Sequence, residues 1–331
     1  MEHKPTPEKI DFLTNAKNVL CARAADKDIT GVVVIPAENG GERVEGIRGY
    51  GFEDCTGITE VVIPEGVKFI GGYAFKGCTA LTHVYIPSTC TEISPSAFDQ
   101  CTAIEAFDVS GGNTAYSTFD GVLYNADGSQ LIKFPCGLSG SFTVPDHVTD
   151  IGPYAFQGSC LEEVRFAKDS IETIGEQAFE GAMSLQAVEF PKKVTSLGNV
   201  MFSRCINLTT VILPQNITSL TWNFFDRCRS LQSIELPESL IALESSVFWN
   251  CIALANVKLP AHLAKIGSNC FYGCTGLTEL TIPESVITIE QSAFDACTCP
   301  IKIKKAGFFG GYPKGFDKQF LKGYKGKVVR Y

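Results

Sequence analysis

Methionine and tryptophan are scarce in this 331-residue chain, with three and two copies, while phenylalanine appears 23 times. One dominant aromatic residue points to a templated position used again and again. The four histidines, His3, His83, His147 and His262, share no period, which argues against a histidine metal cluster. No Gly-x-Ser-x-Gly, P-loop or His-Glu-x-x-His stands anywhere in the sequence, so the common signatures of hydrolase, nucleotide-binding and metalloprotease chemistry are missing. No apolar run approaches the roughly 18 residues that span a membrane. Residues 1–12 lack the apolar core of a secretory signal. Charged residues make up only 19% of the chain and the net charge is −8, which speaks against nucleic acid as a partner, because phosphate contacts need clustered cations. The sequence is expected to be non-enzymatic, to need no cofactor and to carry no catalytic or metal-binding residues.

What the sequence does hold is a repeat. Phe recurs at 52, 75 and 98 and again at 156, 179, 202, 225, 248, 271 and 294, every interval within each group being 23 residues. A strand motif, L-x-x-V-x-I-P, follows behind most of these rings, as at 58–64, 81–87, 208–214 and 277–283. In 277–282 Leu280 and Ile282 alternate inward while Glu279 and Thr281 point outward, and Pro283 cannot donate to the ladder. A second apolar pair such as Val67 and Ile70 turns back to the core. The glycine that often follows it, at 71, 152, 175, 198 and 267, is expected where the chain turns sharply. No coil of this kind buries its own faces, so stability must come from stacking on neighbours.

Fourteen cysteines would suggest a disulfide framework if their spacings were irregular. Eight of them, at 55, 78, 101, 205, 228, 251, 274 and 297, share one repeat position instead. They read as a reduced, buried ladder of small apolar side chains. Neighbours would stand about 5 Å apart, a separation that a disulfide could also bridge.

The pattern V-x-x-I-G-x-x-A-F-x-x-C-x-x-L-x-x-V-x-I-P resembles the BspA type of leucine-rich repeat, over residues 44–110 and 144–297. Ala182 in place of Cys, Ala167 in place of Pro and a shifted Cys160 depart from it only at packing positions. The resemblance and the repeat together imply an α/β repeat solenoid: a right-handed leucine-rich-repeat superhelix with a parallel β-sheet along one side, a 23-residue repeat and a β-hairpin insertion. Three segments are expected: an N-terminal cap at 1–28, the solenoid at 29–300 with a variant unit at 111–143, and a C-terminal cap at 301–331. Ile10, Leu13, Ala16 and Leu20 suggest that the first cap is helical. In the variant unit, residues 122–124 and 131–134 read as hairpin strands around Asp127-Gly128. Asp120 and Asp127 there invite a calcium reading, but the alternating ligand spacing of an EF-hand is missing.

The final segment holds nine Lys or Arg against one acid, Asp317, with seven aromatics interleaved. A cap over the last coil accounts for that composition, with an anionic surface or nucleic acid as the alternatives. Repeat arrays of this class bind through the extended sheet face. The outward strand positions singled out there are His83, Tyr85, Asp108, Glu163, Arg165, Glu189, Glu235, Lys258 and Glu279. By resemblance, the chain would be a monomeric, protein-binding, adhesin-like protein, secreted or held at the cell surface, recognising host matrix or microbial surface proteins. The many thiols and the missing signal favour the alternative, a cytoplasmic interaction scaffold.

Overall fold

The computed structural model describes residues 9–167, 169–303, 324 and 326–330. The chain divides into two compact units, residues 1–139 with 150–160, and residues 140–149 with 161–331.

In both units the 23-residue period becomes one coil with two strands and a turn. In the first unit the long strands Thr30–Val34, Gly57–Val62, His83–Ile86 and Ala106–Val109 pair in parallel, with His83 opposite both Glu60 and Ala106. The short strands Gly46–Ile47, Phe69–Ile70 and Glu92–Ile93 form a second parallel line. The second unit repeats the arrangement. Long strands Cys160–Phe166, Ala187–Glu189 and Thr210–Ile212 pair in one sheet, and short strands Ser219–Leu220, Ala242–Leu243, Lys265–Ile266 and Thr288–Ile289 in another.

Each unit is therefore a β-solenoid. Among the described residues there is no α-helix, which corrects the α/β expectation. A second correction is that sheet lies along two walls of each coil. The return path allows only two-residue strands before a turn in which the residue two after each 23-spaced anchor Phe, and the residue two before each except Phe98, takes left-handed φ, as Tyr73 (57°) and Gly77 (74°) do around Phe75. Such angles interrupt a helix within one turn.

The anchor rings stack along each core. Phe52, Phe75 and Phe98 stand 5.1 and 5.6 Å apart, and the six rings from Phe179 to Phe294 follow at 5.2–5.6 Å. All are buried, and offset-stacked rings add to the burial energy. The backbone locks the same register, since Phe75 N–H donates to Ala97 O at 2.8 Å and Phe225 N–H to Val247 O at 2.8 Å.

The glycines after the short strand do not serve a tight turn, as Gly71, Gly198 and Gly267 have no positive φ. A Cβ on Gly198 would lie 2.3 Å from Glu176 N, and one on Gly71 2.5 Å from Gly49 N. They permit close approach of adjacent coils.

The expected N-terminal helix is absent from the described residues. Ile10–Thr14 and Leu20–Ala24 form an antiparallel hairpin, and its second strand pairs with Gly46–Ile47. The helix-like spacing gave way to an open sheet edge with backbone groups to satisfy. Asn15 closes the hairpin by accepting from Lys17 N–H and Val19 N–H at 2.8 and 3.1 Å.

The variant segment contains Val122–Asn125 and Gln130–Lys133 as an antiparallel pair, with a third strand, Tyr116–Phe119, ahead of them. Phe134 takes the anchor slot here. Its N–H donates to Ala155 O at 2.8 Å and its ring lies 5.5 Å from Phe156. Most of the basic segment, including Lys314, Lys322 and Lys325, lies outside the described residues. Within it, Ile301–Ile303 and Val328–Arg330 extend the sheet from Leu280–Ile282, and Tyr324 stands edge-on to Phe294.

Candidate interaction face on the long strands

Alternation along the long strands places one side chain in the core and the next in solvent, so Val84, Phe107, Val188 and Val211 are buried while the residues between them face out. In-register stacking then aligns the outward positions into columns. The nine residues singled out from the sequence fall into three groups on these columns.

In the first unit His83, Tyr85 and Asp108 share a face, Tyr85 lying opposite Asp108 in the register. The His83 and Tyr85 rings are 6.5 Å apart, and His83 Nδ1 contacts Thr82 Oγ1 at 3.1 Å. Burial, and then the charges of Glu60 and Asp108, push the Tyr85 hydroxyl up.

In the second unit Glu163, Arg165 and Glu189 line one concavity of about 520 Å³, together with Asp169, Lys192 and Ile212 over Phe166 and Phe190. Arg165 grips Glu163 with two hydrogen bonds, 2.7 and 2.6 Å, which hold the Glu163 carboxyl below its usual range. Asp169 accepts from Lys192 N–H at 3.0 Å. Ile212 is 48% exposed in the midst of these charges.

Further along, Lys258 and Glu279 border a second concavity of about 420 Å³, and Glu235 lies opposite Lys258 in the register. Lys258 pairs with Glu238 at 3.5 Å and Glu279 with Lys302 at 2.7 Å. Arg165, Lys258 and Lys302 are thus engaged by carboxylates, whereas the exposed Lys192 side chain has no ion-pair partner among the described residues. Glu189 and Glu235 are exposed and have no ion-pair partner among the described residues. Exposed ion pairs add little to stability, but uncompensated carboxylates give the face a negative surplus.

Among the described residues no group of three or more His, Cys, Asp or Glu is placed to hold a metal ion. Asp127 instead accepts from Ser129 N–H and Oγ at 2.9 and 2.7 Å, closing a turn. No described helix is long and apolar enough to cross a membrane.

Attention to the sheet face missed a set of aromatic columns on the turn side of the coil. Tyr50 stacks on Tyr73 at 5.1 Å, Arg227 lies 4.8 Å over the Trp249 ring, and Trp249 adjoins Tyr272 at 6.1 Å. Trp222, three residues before Phe225, is 48% exposed. Only an alignment of every residue by its distance from the anchor Phe would have brought these columns out.

The family described as BspA type Leucine rich repeat region (6 copies) matches residues 39–139, 134–255 and 204–305. A leucine-rich repeat protein from Eubacterium ventriosum ATCC 27560 has the same fold: it is 22% identical over 87% of this chain and 93% of its own, with a TM-score of 0.66. A leucine rich cell surface protein from Faecalibacterium prausnitzii A2-165 is 20% identical over 88% and 95% of the two chains, with a TM-score of 0.44. The pneumococcal vaccine antigen PcpA is 15% identical over 91% and 79%, with a TM-score of 0.47. No curated protein matches the chain. With its repeat matched across residues 39–305 and its coils stacked on the same anchors, the chain belongs to the BspA-type leucine-rich repeat family.

Proposed function

We propose that this chain is a non-enzymatic protein-recognition module that binds through its long-strand face, and that it works as a secreted or surface adhesin toward host matrix or microbial surface proteins. The carrying observation is the second unit's face. There the exposed Ile212 sits beside Glu189, which lacks an ion-pair partner among the described residues, while most other repeated positions of the coil are committed to core or turn. An apolar contact ringed by surplus negative charge suits a partner that offers a basic, partly apolar patch.

The test is surface-plasmon binding to immobilised fibronectin, laminin and collagen and to intact microbial cells. Charge reversal of Glu163, Glu189 and Glu235 is expected to weaken binding about tenfold or more, worth about 1.4 kcal/mol. Reversal of Lys314, Lys322 and Lys325 is expected to change it by less than about twofold. The opposite ranking moves the site to the basic segment. Fourteen cysteines without a disulfide favour the second reading, an intracellular scaffold. Native protein inaccessible to antibody on intact cells would select it.

A further inference from the structure

Trp222 sits where a soluble repeat has no packing use for an indole. Its neighbours in the same column, one coil before and one after, are Asn199 and Ser245, and with Asn223 and Ser246 they line a concavity of about 460 Å³ around the ring. Thr221, also at its edge, spends its hydroxyl on Gly198 O at 2.9 Å. The side-chain amides of Asn199 and Asn223 and the hydroxyls of Ser245 and Ser246 make no hydrogen bond to another described residue. Glu244 is the only charged side chain in the lining, and Lys265 binds its carboxylate at 2.7 Å.

The chain's other tryptophan, Trp249, is covered by Arg227 and flanked by Tyr272. Trp222 has no such ring or cation against it among the described residues, and close to half its surface remains open. The column closes one coil further on, where Ser268 gives its hydroxyl to Glu290 at 2.9 Å.

An exposed indole face beside several uncommitted amides and hydroxyls matches the chemistry of a pyranose. The ring C–H groups of one sugar face pack against the aromatic surface, while its hydroxyls, each both donor and acceptor, meet side chains that both donate and accept. No free cation lines the concavity and its single carboxylate is paired, so nothing there selects a sulfated, phosphorylated or uronic sugar. We propose that the concavity at Trp222 binds a neutral pyranose unit of a glycan. This site lies after the short strand, off the long-strand face, and stands or falls independently of protein recognition there.

The full chain labelled with 5-fluorotryptophan gives two fluorine resonances, assigned with Trp222→Phe and Trp249→Phe. The probes are methyl glucoside, methyl galactoside, methyl mannoside, N-acetylglucosamine, cellobiose, lactose and chitobiose, with glucuronate as the charged comparison. At least one neutral sugar is expected to shift the Trp222 resonance saturably and leave that of Trp249 in place. Asn199→Ala and Ser245→Ala should each weaken the interaction about fivefold. The absence of a saturable shift up to about 50 mM neutral sugar would overturn the proposal. So would unchanged affinity in both alanine variants, or a preference for glucuronate.

Discussion

Ala296 holds φ at 60° two residues past Phe294 and is exposed. The same position past every other 23-spaced anchor is also left-handed, from Asp54 at 58° to Gly273 at 69°. Asp and Asn tolerate this conformation and Gly enters it freely, whereas alanine meets its own carbonyl with nothing to compensate. Ala296→Gly is therefore expected to raise stability by about 0.5–1 kcal/mol, net of the greater freedom that glycine gives the unfolded chain. Gly181→Ala, where an added Cβ meets nothing within 4 Å, should lower it by a similar amount. Thermal unfolding midpoints check both, and a lower midpoint for Ala296→Gly would contradict the strain. This constraint was not legible in the sequence. The position carries Asp, Gly, Gln, Arg, Asn and Ala in different coils, because φ is imposed by the turn and not by any one side chain. The glycines that did stand out answer to coil-to-coil distance instead.

At the scale of the coil, the cysteine ladder is more than apolar filling. Each ladder thiol after Cys55 reaches back to the carbonyl of the previous anchor, as Cys78 does to Phe52 O at 3.1 Å, Cys228 to Phe202 O at 3.2 Å and Cys297 to Phe271 O at 2.7 Å. That carbonyl already accepts its own coil's cysteine N–H, as Phe52 O does from Cys55 at 3.2 Å, so the thiol occupies the second lone pair. Burial pushes the Cys55 thiol up to about 12 and that of Cys90 to about 11. Thiols so buried are poor nucleophiles. Of the fourteen, thirteen are buried and only Cys160 is partly open. Ellman titration is expected to find fourteen thiols in unfolded, unreduced protein and prompt reaction of Cys160 alone in the native form; fewer than eight in the unfolded form would sink the ladder. Because the folded Cys55 and Cys90 thiols titrate above their ordinary 9.0, their contribution to stability is intact below about pH 9 and declines as the unfolded state ionises between about 9 and 12.

The repeat, long strands and inner-variant strands were legible because a 23-residue period and a two-residue alternation leave direct marks on the sequence. The two-residue short strands leave no comparable mark. The missed anchor Phe134 stands 22 residues before Phe156, one short of the period. The N-terminal hairpin was misread because its apolar spacing matches a helical face, while the deciding factor was an open sheet edge elsewhere in the chain.

Over the whole chain, neighbouring coils carry the stability. The sheet-face columns could be anticipated from alternation within one strand, but the Trp222 concavity exists only once Asn199 and Ser245 are stacked on either side of it. Stability follows the same rule. Phe225 sits within the six-ring stack of the second unit, 5.5 Å from both Phe202 and Phe248 and 4.8 Å from Phe224. Removing it should cost about 3–5 kcal/mol. In a globule that loss would lower the protection of every amide together. In a stacked array each coil touches only its neighbours, so the loss is local. Hydrogen-exchange mass spectrometry of Phe225→Ala is expected to show lost protection in the coils that carry Phe202, Phe225 and Phe248. The coils of Phe52 and Phe75, which stack on each other at 5.1 Å, should keep theirs. A uniform loss along the chain would mean that folding is cooperative beyond the neighbouring coil, and that stacking is not what divides the molecule energetically.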